Sequence, residues 1–271
     1  MSYLLALAQC QSSPDYRKNL EKARYFAKEA QNAHAQLLVF PEYFMVPFEL
    51  SAKEYLHAAQ PMDGPFVKTM QKIAEEFQLW IIFPMNEKSD IFAQKSYNTS
   101  VIVDNKGRIL AKYQKTHLFD AFSTQESART ISGNHLFTPV DTPFGKLGLG
   151  MCYDLRFPEL ARAAALHGCD LLLYPSAWVK GPMKSTQWHT LLTARAIENS
   201  CFTAGCCYCS EKYLGESQIT DPFGTVIASG GCTEELVIGQ IELEKIKKAR
   251  DINPWRDHRR DELYTSVIQT L

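Results

Sequence analysis

Four apolar residues, Leu37-Leu-Val-Phe40, run directly into Pro41 and then into the carboxylate of Glu42. A run this short and this apolar predicts a buried strand. The proline ends it, which leaves Glu42 at the C-terminal edge, where layered α/β proteins gather functional groups. The same punctuation recurs along the chain. Leu4 to Cys10, Leu79 to Phe83 and Asp170 to Tyr174 read as further strands, with helices between them. Asp15 to His34 has a 3.6-residue apolar rhythm through Leu20, Ala23, Phe26 and Ala30, and Gly64-Pro65 opens a second helix through Phe66, Met70 and Ile73. Asn105-Lys-Gly107 predicts a hairpin, Asp221-Pro-Phe-Gly224 a tight turn, and Leu243 to Ala249 a last helix. Strands and helices intermix with no Gly/Ser/Pro-rich linker and no repeat, so one α/β domain over residues 1–271 is expected.

Two more strand ends carry chemistry. In Lys146-Leu-Gly-Leu-Gly-Met-Cys152-Tyr-Asp-Leu-Arg156-Phe-Pro158 an apolar strand gives way to a bend, and Pro158 suits the first turn of a helix. A cysteine on that bend faces the positive end of a helix, an environment expected to favour thiolate and to make Cys152 the first thiol alkylated. In Ile109-Leu-Ala-Lys112-Tyr-Gln-Lys115-Thr-His117 an alternating strand ends at Lys115. Each residue alone reads as a core thiol or a solvated charge. Together they supply a base, a cation and a nucleophile, the parts a cysteine amidohydrolase needs.

With these segments in place the chain resembles the nitrilase, or carbon–nitrogen hydrolase, superfamily along almost its whole length. The resemblance implies a four-layer α-β-β-α sandwich, usually dimeric, with Glu42 as general base, Lys115 as oxyanion-stabilising cation and Cys152 as nucleophile. It adds Glu126, in Gln125-Glu-Ser127, as an orienting carboxylate, and implies a backbone N–H donor at Tyr153. Within the superfamily, Leu118-Phe-Asp-Ala-Phe122, Ala177-Trp178-Val-Lys-Gly181-Pro182, Trp188 to Ala196 and Gly215-Glu-Ser-Gln-Ile219 are most similar to bacterial deaminated glutathione amidases. The implied reaction cleaves deaminated glutathione to 2-oxoglutarate and cysteinylglycine through a thioester. An ω-amidase acting on 2-oxoglutaramate would share that thioester, and a noncatalytic binding protein on the same fold is the reading from another class.

The remaining candidates divide between site and scaffold. Arg156 either braces the bend against Asp154 or Glu159, or offers its planar fork to a substrate carboxylate. Trp178 either lines the pocket or fills core, and His117 is a pocket wall or a hydrogen-bonded core residue. A papain-like Cys–His pair built on His117 or His189 lacks the flanking signature. Cys206-Cys-Tyr-Cys209 formally contains a C-x-x-C, but no second ligand pair stands at zinc spacing, so no metal and no cofactor are expected.

Composition limits the partners. The 271 residues balance 29 basic against 30 acidic side chains, which disfavours nucleic acid or an anionic membrane as a ligand. The first residues read as a strand rather than a signal peptide, and no apolar stretch approaches the ~20 residues of a bilayer span. Eight cysteines in a chain this long do not make the disulfide framework of a small secreted domain. A cytoplasmic enzyme with a small-molecule amide substrate is expected. The segments 44–55 and 119–134 are long enough to act as lids.

Overall fold

The computed structural model describes residues 2–122 and 124–268, with side chains described as far as residue 264. In chain order its elements are β1 (Ser2–Gln9), α1 (Tyr16–Asn32), β2 (Leu37–Val39), α2 (Ala52–Ala58), α3 (Pro65–Phe77), β3 (Trp80–Lys88), β4 (Ser96–Val103) and β5 (Ile109–Gln114). There follow β6 (Thr130–Ile131), β7 (Val140–Thr142), β8 (Gly145–Leu149), α4 (Pro158–Leu166), β9 (Leu171–Ser176) and α5 (Lys184–Asn199). The chain closes with β10 (Phe202–Cys207), β11 (Gln218–Thr220), β12 (Val226–Ser229), β13 (Glu235–Glu242), α6 (Leu243–Ile252) and α7 (Asp261–Ile268).

Among the described residues the strands form two sheets. One runs β13-β1-β2-β3-β4-β5, with β6 also beside β4, and the other β12-β11-β10-β9-β8-β7. The centres are parallel, β1 with β2 and β3 in the first sheet and β8 with β9 and β10 in the second, and the flanks are antiparallel. Strand β1 shows why its run is apolar at every residue. Leu5 and Leu7 join Leu37, Val39, Leu147, Leu171 and Phe202 in a core between the sheets. Ala6 and Ala8 turn the other way, into a second core with Leu38 and Phe40 and with Phe26, Met70 and Ile73 of α1 and α3. A strand covered on both faces has no use for alternating polarity. On the far side, α5 lays Trp188, Leu192 and Ala196 against the second sheet. The layers are therefore helix, sheet, sheet, helix, as expected.

Local chemistry sets the helix ends. Asp15 caps α1 by accepting from Arg17 N at 3.0 Å, and α3 starts on Pro65 after Gly64. Helix α2 carries a capping box between Ser51 and Glu54, which the sequence reading passed over as loop. Strand β13, which pairs with β1 over its full length, and α7 were also not anticipated. The C-terminal arm is held to α4 by Arg162, which lies 4.0 Å over the Trp255 ring, and by Arg256, which donates to Ala165 O. Trp188 and Leu192 of α5 are fully buried within the chain, whereas Ile197 is exposed. Among the described residues no helix is long and apolar enough to cross a membrane.

Candidate active site

Three strand ends converge. Glu42 follows β2, Lys115 follows β5 directly, and Cys152 follows β8. Lys115 Nζ donates to Glu42 Oε1 and to Glu126 Oε2, each at 2.8 Å, and all three side chains are 1% exposed. Cys152 lines the same cavity as Glu42 and Lys115, and both charges act on its thiol. Glu126, on the short 3-10 turn Glu126–Ala128, is fixed further by Tyr43 OH at 3.1 Å and Phe119 N at 2.7 Å. The second oxygen of Glu42 accepts from the Ala177 N–H at 2.9 Å, just past the end of β9.

Two charges of one sign around one of the other, all out of water, set the proton affinities. Burial alone would strip the proton from Lys115, but Glu126 and Glu42 beside it hold its pKa well above the usual lysine range. Burial pushes Glu42 up; Lys115 pulls it down, Glu126 pushes it up again, and the balance lies above an ordinary glutamate. Burial likewise drives the Cys152 pKa well above that of a free thiol, the Glu42 carboxylate adds to this, and Lys115 opposes it. These surroundings favour the thiol over the expected thiolate. A 3-10 turn, Cys152–Arg156, follows the bend and α4 begins only at Pro158. The helix end is thus too far away to offset desolvation, since its field fades within a turn.

The bend itself is strained and braced. Cys152 has a φ of +46°, in the left-handed region, at a cost of about 1 kcal/mol or more. Gly150 lets the strand pass Tyr174, where a Cβ would stand 2.6 Å from a ring carbon. Buried Asp154 clamps the turn by accepting from Met151 N and Tyr113 OH, each at 2.8 Å, and from His117 N at 3.1 Å. His117, a candidate substrate contact, instead sits 2.7 Å from Asp154 through Nδ1 and stacks on Phe157 with centroids 3.7 Å apart. It belongs to the brace and is not among the cavity-lining side chains.

A cavity of about 540 Å³, its open mouth included, ends at Glu42, Lys115, Glu126 and Cys152. Tyr153, Trp178 and Arg156 line it, as do Phe48 and Phe119 from the two candidate lid segments; Ser123 of the second segment lies outside the described residues. Arg156 pairs with neither Asp154 nor Glu159. It donates to Gln187 Oε1 at 2.7 Å and lies 4.7 Å over the Trp178 ring, whose own Nε1 donates to Lys184 O at 3.0 Å. Trp178 is both wall and core, being 4% exposed and tilted against Trp188.

Sequence reasoning missed several members. Asn98 Nδ2 reaches Glu42 Oε1 at 2.9 Å and Glu126 Oε1 at 3.3 Å, yet a polar residue in β4 carries no signal apart from ordinary strand alternation. Tyr43, Lys184, Lys212 and Tyr213 also face the cavity. Cys206, of the C-x-x-C segment, donates to Val39 O at 3.2 Å between the sheets, and among the described residues no three metal-ligating side chains cluster.

An α-β-β-α sandwich with glutamate, lysine and cysteine at three strand ends defines a hydrolase of carbon–nitrogen bonds. Residues 4–251 match the carbon–nitrogen hydrolase family model, and the chain belongs to that family. It is similar to the deaminated glutathione amidase of Escherichia coli O157:H7, 34% identical over 257 residues that cover 95% of this chain and 97% of that one. It is also similar to an omega-amidase of Homo sapiens, 34% identical over 274 residues and covering 97% of each. Among solved structures, Saccharomyces cerevisiae Nit3 superposes with a TM-score of 0.83 at 30% identity, over 93% of this chain and 94% of that one.

Proposed function

We propose that this protein is an amidohydrolase in which Cys152 is the nucleophile, Glu42 the general base and acid, and Lys115 the oxyanion-stabilising cation. Its substrate in this reading is deaminated glutathione, cleaved to 2-oxoglutarate and cysteinylglycine. Lys115 held 2.8 Å from both Glu42 and Glu126, at the end of a cavity that contains Cys152, is the observation that carries the proposal.

The chemistry follows from the proton affinities. As Sγ attacks the amide carbon, its proton passes to Glu42, so a thiol rather than a free thiolate is the working resting state. The carbonyl oxygen gains negative charge and is met by the Lys115 ammonium and the Tyr153 N–H. Glu42 returns the proton to the departing nitrogen, the C–N bond breaks, and the acyl group stays on sulfur as a thioester. Glu42 then takes a proton from water as its oxygen attacks the thioester, and the proton returns to Sγ as the acid leaves. Glu126 positions Lys115. No step calls for a metal or an organic cofactor. Trp178 and Arg156 supply the wall along which the substrate lies.

The similarity to a deaminated glutathione amidase supports the substrate, and the equal identity to an omega-amidase makes 2-oxoglutaramate the competing one. Both yield one thioester and differ in the amine that leaves. The proposal extends to one catalytic domain over 1–271, although residues 1 and 269–271 lie outside the described residues, and to a homodimer in the cytoplasm. Eight free cysteines, seven of them buried, support a reducing compartment. The test is a product assay with deaminated glutathione, 2-oxoglutaramate and glutamine, with Cys152→Ala as control. Faster release of cysteinylglycine than of ammonia is expected, and the reverse order would reassign the substrate to 2-oxoglutaramate.

A further inference from the structure

The part of the cavity wall formed by Phe48 belongs to a stretch with no strand or helix of its own, residues 40–51 between β2 and α2. Among the described residues no backbone–backbone hydrogen bond reaches residues 44–50. Side chains from elsewhere hold this stretch by its carbonyls. Met45 O accepts from Asn19 Nδ2 at 3.0 Å, and Phe48 O and Leu50 O both accept from Arg129 Nη1, at 2.9 and 2.7 Å. The same guanidinium lies 4.6 Å over the Phe48 ring and 5.7 Å over the Tyr55 ring, two rings that meet edge to face. Arg129 thus grips Phe48 both by its carbonyl and by its ring.

This grip costs stability. Among the described residues no carboxylate pairs with Arg129, and its Nε is buried without a hydrogen-bond partner. A loop that needed only an anchor would do better with a neutral side chain, and a local rule broken beside a cavity marks a functional position. What the arginine adds is registration against the reacting groups. It closes the 3-10 turn that Glu126 begins, and its own N–H donates to Glu126 O at 3.1 Å. From the other side Tyr43, whose OH donates to Glu126 Oε1 at 3.1 Å, packs its ring 5.0 Å from that of Phe48. Phe48 is therefore tied at two points to the residue that positions Lys115. A wall limits the size of a bound molecule only when its distance from the reacting atoms is fixed.

We propose that Arg129 is a positioning residue that fixes Phe48 as the size-limiting wall of the cavity, and so sets how large a half of the amide the site accepts. The inference rests on the amidohydrolase reading and adds to it a determinant of substrate size. Arg129 is not among the cavity-lining side chains, so it acts on substrate through Phe48. Without the guanidinium, Phe48 and Leu50 lose the donor to their carbonyls, the ring loses the cation on its face, and the wall gives way to bulk that it now excludes.

Two series of 2-oxo acid amides separate the halves of the substrate. One varies the amine half, from 2-oxoglutaramate through its N-propyl to its N-hexyl derivative; the other varies the acyl half, from 2-oxosuccinamate through 2-oxoglutaramate to 2-oxoadipamate. kcat and KM are measured for the wild-type enzyme, Arg129→Met, Arg129→Lys, Phe48→Ala and the double variant Phe48→Ala with Arg129→Met. In the series that faces Phe48, Arg129→Met is expected to raise the kcat/KM of the largest member relative to the smallest about tenfold, as Phe48→Ala does, with the double variant going no further than Phe48→Ala alone. Arg129→Lys, which keeps the charge and loses the planar fork, is expected to move the ratio the same way by a smaller factor. Ratios unchanged in both series, or single effects that add in the double variant, would overturn the proposal. Chymotrypsin gives a readout independent of turnover. Cleavage after Phe48 or Leu50 is expected at least about tenfold faster in Arg129→Met than in the wild-type enzyme, and equal cleavage would refute the grip. If the wild-type enzyme hydrolysed no member of either series, the amidohydrolase reading would fail while the chymotrypsin comparison still decided whether Arg129 holds the wall.

Discussion

Asn98 donates its side-chain amide to Glu42 Oε1 over 2.9 Å, and the same nitrogen lies 3.3 Å from Glu126 Oε1. With Lys115 on the other side, the two buried carboxylates are tied together by two separate donors. Replacing Asn98 by Ala leaves both acids a donor short in a dry site, a penalty of about 1–3 kcal/mol. The expected result is a fall in kcat of about tenfold to a hundredfold, with little change in KM. A variant with full kcat would show that Lys115 alone sets the geometry.

Lys115→Ala removes the cation that bridges Glu42 and Glu126. One oxyanion donor is commonly worth about 3 kcal/mol of barrier, so kcat should drop by at least two or three orders of magnitude. Two unpaired buried carboxylates also destabilise the fold, by about 3–5 kcal/mol if both stay charged. Thermal unfolding should register this as a lower Tm that recovers on acidification, when the acids take up protons. A stable variant retaining a tenth of the activity would remove Lys115 from the proposed mechanism.

The pH profile should report Glu42. The base must be a carboxylate, so kcat/KM is lost as pH falls through its pKa, which burial and then Glu126 keep above the ordinary glutamate range despite the pull of Lys115. Glu126→Gln takes away the like charge and leaves Lys115 paired with Glu42 alone. Both changes favour ionised Glu42, so the acid limb should move to lower pH even as the maximal rate falls. An acid limb that stayed in place or moved up would assign it to another group.

Thiol reactivity should not single out the catalytic cysteine. Cys232 is exposed, whereas Cys152 is 8% exposed with a proton held tightly by its surroundings. Mass mapping with iodoacetate, a charged reagent, should label Cys232 first and Cys152 slowly at neutral pH, since the thiolate is the reactive form. The other six are buried and should resist longest. Fast labelling of Cys152 ahead of Cys232 would restore the thiolate expectation that burial argues against.

What the sequence determined by itself was local in character. Leu37-Leu-Val-Phe40 announces a strand covered on both faces, Pro41 its end, Gly64-Pro65 a helix start, and Glu42, Lys115 and Cys152 the loci of chemistry, because apolar runs and prolines act within a few residues. Boundaries suffered where the cue was tertiary. Strand β13 exists because β1 offers it an edge, and α2 depends on one capping box inside an apparent loop. Only the folded chain decided how the parts interact. It turned His117 into a brace for Asp154, released Arg156 from Asp154 and Glu159, brought Asn98 between two acids, and set Lys184 beside Arg156. It also sets the balance of the Cys152 thiol against thiolate, since proton affinity depends on water and charges within a few ångströms, and those neighbours come from strand ends 73 and 135 residues apart along the chain.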